Sequence, residues 1–444
     1  MSDPLPAASP ADSSAGPSQR RVAVLLSLAW AAGHFALGSW YVTLGSFIKA
    51  NTGDAGTGMF APGFVGTATS AAPIGAMLAP FLAGLLADRF FSTEKIMVVM
   101  HLLAGTMLLA AATATSQTVF LAALLGFFIC FWPTISLLAA MSMKHLAQPN
   151  RQFPLVRGCG TLGWIASGLA IGLLAPWLLG GSIEATKLPL QVAIVAHFVN
   201  AVICIWLPHT PPSAALRKLA PSAEKGAQMG QLLRDRTLLS VLLVAFLALV
   251  PSPFYYGFVN PFLNWRGMPN PAARMTLGQA VEVVCMLTLP LVLLRVGLRN
   301  AVLCGIVTWG ARYALLALAA WTGGQQWALY AAIALHGIAY TFVSVSLQME
   351  VETLVEPKFR ATAQGLLAVA TSGLGSFAGA QLAAFADKRW LPAELAETTG
   401  RQWAQFWLAP TMAAGVALVA AFVLLPAGGR SAHGPASAGG PNGT

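Results

Sequence analysis

The constraint that dominates this sequence is a succession of twelve stretches, each of roughly 20 mostly apolar residues, the length a helix needs to cross about 30 Å of hydrocarbon. The first six run approximately Val22 to Ile48, Phe64 to Ala87, Ile96 to Ala114, Val119 to Met143, Pro154 to Leu179 and Leu188 to Leu207. The next six run approximately Leu238 to Leu263, Met275 to Val296, Asn300 to Trp321, Trp327 to Gln348, Ala361 to Ala386 and Phe406 to Leu425. Lipid offers the backbone no hydrogen-bond partner, so such stretches must satisfy their own amides as helices. The expected fold is therefore an all-α integral membrane protein of two six-helix pseudo-repeats. Only 9% of the 444 residues are charged, against 57% hydrophobic. A soluble domain carries about 25% charged residues, so soluble enzymes and nucleic-acid binders are excluded as classes.

The longest polar connection, His209 to Thr237, separates two halves of similar size. The expected organisation is residues 1–21 as a disordered cytoplasmic N-terminus, 22–207 as the first bundle, 208–237 as a cytoplasmic linker, 238–426 as the second bundle and 427–444 as a disordered cytoplasmic tail. With the N-terminus inside, 17 of the 25 Lys and Arg fall on the inner side and 7 on the outer. That bias places both termini in the cytoplasm. The formal charge of +10 is scattered in short clusters between apolar runs, which is a topology signal and not a polyanion-binding stripe. No basic leader precedes an apolar core in Met1 to Gln19, so no cleaved signal is expected, and the membrane expected is a bacterial-type inner one. The five cysteines, Cys130, Cys159, Cys204, Cys285 and Cys304, lie in apolar stretches without a CxxC pair and read as buried thiols; no metal or cofactor is expected.

Six spans, a basic connection and six more are the layout of a carrier with its site between two repeats at the bilayer midplane. The loop Gly84-Leu85-Leu86-Ala87-Asp88-Arg89 ahead of Lys95 resembles the signature of the major facilitator superfamily. In that resemblance Gly84, Asp88 and Arg89 form a conformational latch. The chemistry is expected where charge penetrates the spans, because an ionisable group in hydrocarbon costs on the order of 3 kcal/mol or more. Among the acids only Glu282, in the eighth span, is deep. Burial disfavours the charged carboxylate, so Glu282 is either a proton site that loads and unloads as its surroundings alternate, or a permanently protonated partner in an interhelical hydrogen bond. Arg157, about a turn into the fifth span, either meets solute or an acid across the cavity or reaches back to the headgroups. Arg312, followed by Tyr313 in the ninth, reads as a structural partner for backbone or an acid.

Polar and aromatic residues mark cavity walls. Gly38 to Ser46 in the first span contains Trp40 and Thr43; the prolines Pro251, Pro253 and Pro261 are expected to break the seventh span around Tyr256. His336, Tyr340, Thr341, Ser344 and Gln348 recur at three- or four-residue spacing and are expected on one face of the tenth. Glycines Gly160, Gly163, Gly168 and Gly172 in the fifth span, and Gly375 and Gly379 in the eleventh, read as close-packing faces.

Five stretches in register resemble the nucleoside:proton symporter family of that superfamily. They are Gly38-Ser39-Trp40 with Thr43-Leu44-Gly45-Ser46; Phe153-Pro154 with Arg157 and Gly160-Thr161-Leu162-Gly163; Leu207-Pro208-His209; Gln279 with Glu282; and Arg360-Ala361 with Ala363-Gln364-Gly365. The resemblance implies nucleoside uptake driven by the proton gradient, with Arg157 and Glu282 in binding or coupling. Where family members carry amides on the seventh helix this chain has Pro253 and Tyr256, and where they carry an acid on the tenth it has Thr341 after Tyr340. The expected solute-binding set is Arg157, Gln279, Glu282, Trp40, Thr43, Tyr256, His336, Tyr340 and Thr341, with Glu282 the proton-coupling residue, in a monomer whose partners are the solute, protons and the lipid bilayer. The alternatives are a carrier or exporter of another small metabolite and, outside transport, a membrane receptor or membrane-embedded enzyme. No acid, base and nucleophile set meets at one depth, and no sizeable extramembrane domain is present to serve a receptor.

Overall fold

The computed structural model describes residues 17–54, 57–79, 91–212 and 230–425. Twelve apolar helices make up nearly all of it: α1 (Ser18–Lys49), α2 (Phe64–Ala79 in its described part), α3 (Thr93–Thr113), α4 (Gln117–His145), α5 (Pro149–Leu179), α6 (Leu188–Ile205), α7 (Arg236–Trp265), α8 (271–296), α9 (298–322), α10 (Gln326–Leu354), α11 (Thr362–Trp390) and α12 (Gly400–Leu424). Local chemistry sets their ends. Asp235 caps α7 by accepting from the amides of Thr237 and Leu238 at 2.8 and 3.2 Å, and Thr399 with Gln402 forms a reciprocal capping box at α12. Helices α8 and α9 are continuous except at Gly297, whose φ of 75° no branched residue adopts comfortably.

Within the first half α1 packs on α5 and α6, and α3 on α4 and α6; within the second, α8 and α9 pack on α10 and α12, and α7 on α11 and α12. The halves meet along α2–α11, α5–α8 and the ends of α1 and α7. Leucines such as Leu287 and Leu294, 76% and 84% exposed, face outward around this bundle, which is tolerable only where the solvent is lipid.

Several expectations need correction. The α-helical run that opens α1 starts at Pro17, just ahead of the apolar span, so residues 17–21 are helical and the N-terminal boundary lies earlier than expected. The remainder of that terminus, part of the 208–237 linker, the 427–444 tail and the latch residues Gly84, Asp88 and Arg89 lie outside the described residues. The prolines interrupt α7 as expected: its α-helical run stops at Leu249, turns through Val250 and Pro251 and resumes at Ser252, after which residues Tyr255–Val259 form a widened π-turn. The Pro251 carbonyl accepts a hydrogen bond from the Tyr313 hydroxyl. A neighbouring helix thus satisfies a backbone group the local geometry frees. On α10 a second π-turn, Thr341–Val345, shifts the register: Thr341 is fully buried while Gln348 is exposed, so the polar residues do not form one stripe. All five cysteines are free, but only Cys204 is buried and Cys304 is exposed.

Candidate functional site between the two halves

Glycine places the charged pair. A side chain on Gly337 of α10 would overlap the backbone of Gly278, Val281 and Glu282, and one on Gly278 would press on His336. The bare backbones let α8 and α10 cross at Glu282. Glu282 lies 11 residues past Pro271, which at 1.5 Å per residue is about 16 Å down the helix, near mid-membrane. In the other half Gly163 seats against the Ala31 carbonyl and Gly160 against the His34 ring, fixing α5 on α1 one turn beyond Arg157.

Arg157 is exposed and Glu282 half-buried. They are not joined as an ion pair, yet Arg157 is the cation whose field reaches Glu282 from the opposite half, and it also reaches His34 and Tyr340. Glu282 in turn acts on Tyr255, Tyr256 and Tyr340. Aromatic rings fill the space around the pair. Tyr256 contacts Tyr41 and Trp164 of the first half, with centroids 5.5 and 6.3 Å apart, and His336 of its own half at 5.8 Å. Tyr340 lies 6.0 Å from His336.

The structure therefore brings together Arg157, Glu282, Tyr256, Tyr340 and His336. Gln279, one turn before Glu282, is 7% exposed. Trp40 and Thr43 are turned away: Trp40 is 1% exposed with its ring edge-on to Phe127 inside the first half, and the Thr43 hydroxyl donates to the Trp40 carbonyl at 3.1 Å. Thr341 is buried with its hydroxyl unpartnered. The first helix presents Tyr41 across the interface instead, a residue the sequence analysis did not single out.

A polar seal closes the end of the interface remote from the termini. Lys49 of α1 and Asp387 of α11 pair at 2.6 Å, 2% and 1% exposed, and the Lys49 ammonium also donates to the Pro392 carbonyl at 3.4 Å. Beside them Glu184, from the α5–α6 loop and 1% exposed, accepts from Asn260 at 2.8 Å, Asn264 at 3.4 Å and the Ala272 amide at 2.9 Å. Ser46 donates to Asn260 at 2.6 Å. Burial pushes the Glu184 carboxyl above the usual carboxylate range, against the opposing pull of those three donors. Asp387 lies inside α11, one turn before its end at Trp390. Around the seal, side chains on Gly45, Gly66, Gly168 and Gly172 would overlap backbone or side-chain atoms of Gly257, Ala384, Thr276 and Ala273 respectively. All four contacts join one half to the other. No group of three or more metal-ligating side chains occurs among the described residues.

Two six-helix halves meeting around a mid-depth charged and aromatic site define a secondary carrier of the major facilitator type. The same fold is seen in a crystal structure of a variant of the nucleoside transporter NupG (TM-score 0.79, 21% identity, covering 91% of this chain and 100% of that one) and in a peptide transporter (TM-score 0.67, 13% identity, 92% and 97%). The family model described as nucleoside H+ symporter matches residues 20–428, and the chain belongs to that family. Among curated proteins of Escherichia coli it is 33% identical to YegT, named as a candidate nucleoside transporter, over 78% of this chain and 80% of that one. It is 28% identical to xanthosine permease over 80% and 85%.

Proposed function

We propose that the protein imports nucleosides with protons across a bacterial-type inner membrane, both termini cytoplasmic, by rocking its halves about the site between them. The observation that supports this reading is the placement of Glu282 partway along α8, at the level where the Tyr256 ring meets Tyr41 and Trp164 of the opposite half, in a member of the nucleoside H+ symporter family. In this reading Glu282 carries the proton. Arg157 competes with that proton by stabilising the ionised carboxylate whenever the halves approach. A nucleobase inserts among Tyr41, Trp164 and Tyr256, whose faces suit a flat heterocycle. Gln279, Tyr340 and His336 supply polar contacts in place of the amides and acid of related chains; Trp40, Thr43 and Thr341 act only if the opposite conformation exposes them. Gly84, Asp88 and Arg89 serve as the inner latch. The Lys49–Asp387 and Glu184 contacts close the outer side, so the solute leaves toward the cytoplasm from the conformation described here. One chain holds the whole site, consistent with a working monomer.

The test is uptake of radiolabelled uridine and adenosine into proteoliposomes, with and without an uncoupler, for the parent and Glu282→Gln. Accumulation lost on uncoupling and in Glu282→Gln supports the assignment. Well-folded parent protein that accumulates neither nucleoside refutes the nucleoside reading, and uncoupler-resistant accumulation refutes the proton.

A further inference from the structure

Arg312 of α9 is fully buried, and no carboxylate pairs with it among the described residues. A lone guanidinium inside a lipid-embedded bundle needs other compensation. Its carbon centre lies 4.3 Å from the ring centroids of Tyr255 and Trp309 and 4.6 Å from that of Tyr313, so three π faces surround the cation. One amino group donates to the Tyr313 hydroxyl at 2.6 Å. The other lies 2.7 Å from His336 Nδ1. The expectation of a backbone or acid partner for Arg312 thus gives way to aromatic faces and an imidazole.

A guanidinium has only donors and does not give up its proton in a protein. His336 Nδ1 must therefore offer its lone pair, which leaves the ring hydrogen on Nε2. A second proton on the ring would set N–H against N–H at that same contact. The ring is also held in place, flat on Tyr255 at 4.2 Å and 6° and edge-on to Tyr256 at 89°. The titratable or charged groups around it are Arg312 from α9, Tyr255 and Tyr256 from α7, and Tyr340 from its own helix; α8 contributes Gly278 and, one turn on, Glu282, which abuts the neighbouring Gly337 and acts on those three tyrosines.

We propose that Arg312 is a positioning residue that fixes His336, 1% exposed behind the Tyr256 and Tyr340 rings, as a neutral imidazole whose Nε2–H becomes available when those rings part, so that the α10 wall then recognises an acceptor atom, a ring carbonyl or ring nitrogen, on the base of the solute. The solute part of this proposal rests on the nucleoside reading; the positioning part does not.

Full-length protein labelled with 15N-histidine in lipid nanodiscs tests the positioning directly, with the His336 signals identified by their loss in His336→Gln. From about pH 5 to about pH 8, a range spanning ordinary histidine titration, Nδ1 is expected to stay unprotonated and Nε2 protonated. In Arg312→Gln the same ring is expected to titrate or mix tautomers. A parent ring that takes up a second proton in this range, or carries its hydrogen on Nδ1, overturns the proposal whether or not Arg312→Gln folds. For the solute part, uridine binding by calorimetry is expected within about threefold of the parent for His336→Gln, which keeps a donor, and weaker by about tenfold or more for His336→Leu. Equal binding by folded His336→Leu refutes the contact. A parent that binds no nucleoside at all refutes the nucleoside reading, while the nitrogen signals still decide the positioning role.

Discussion

Removing the Asp387 carboxylate should force the outer end open. In the structure Lys49 and Asp387 are almost entirely shielded, and their further partners are backbone groups, the Pro392 carbonyl for Lys49 and Gly63 for Asp387, so neither charge has a second counter-charge. Breaking a buried pair by deleting one member costs about 3–5 kcal/mol, because the remaining charge stays buried without compensation. That cost applies only while the halves are closed; once they part, the Lys49 ammonium reaches water. Asp387→Asn should therefore raise the ratio of outward-exposed to closed protein by roughly a hundred- to several-thousandfold, at about 1.4 kcal/mol per tenfold. A cysteine at Ser46, 4% exposed in the closed seal and introduced into a background lacking the five natural cysteines, reports the change through labelling by a membrane-impermeant maleimide. The parent should label slowly and Asp387→Asn rapidly. Replacing both members by apolar residues of similar size, Lys49→Met with Asp387→Leu, should restore slow labelling, since such swaps are often neutral or stabilising. Labelling that stays within about twofold of the parent in the single variant, or a double variant as open as the single, would refute the argument that charge burial holds the seal.

Three further outcomes are expected. Gly45→Ala drives a methyl into the Gly257 carbonyl and should also favour the outward-exposed state and slow uptake, whereas Gly158→Ala, with nothing within 4 Å, should behave as the parent in the same labelling and uptake assays. Glu184 has a raised carboxyl pKa in the folded protein, so its contribution is full below the ordinary value near 4.5 and is lost as pH rises through the raised one. Thermal unfolding in detergent from about pH 5 to about pH 8 should show a steeper loss of stability for the parent than for Glu184→Gln, whose side chain does not titrate. Tyr256→Leu removes the ring that bridges Tyr41, Trp164 and His336 and should weaken nucleoside binding by about tenfold, while Tyr256→Phe should retain the stacking part, both read by calorimetry.

The twelve helices and the depth of Glu282 were legible because the hydrocarbon layer imposes a length on apolar runs and a cost on charge, and both rules act on local sequence. Arg312 was legible as buried for the same reason, but its partners were not, since a cation enclosed by three rings has no signature in spacing. Lys49 and Asp387 each sit at the end of an apolar run, where a charge ordinarily meets headgroups. Their pairing spans 338 positions, and no pattern within either helix anticipates it. The wall formed by α10 was misjudged because a constant 3.6-residue period cannot register a π-turn. The choice of Tyr41 over Trp40 for the interface depended on the roll of α1, and adjacent residues of a helix point about 100° apart.

The glycine seats around the outer seal have a bearing on how the halves travel. Gly45, Gly66, Gly168 and Gly172 press backbone against backbone or against short side chains, and such surfaces have no rotamers with which to accommodate a partial separation. Long flexible side chains would let the interface yield gradually. These surfaces either nest or lose contact along their length, which gives a latch with two positions and few stable ones between them. Under such a regime the outer entrance should open in discrete events, and a solute waiting outside would experience the carrier as a door that is shut or open, not one left ajar.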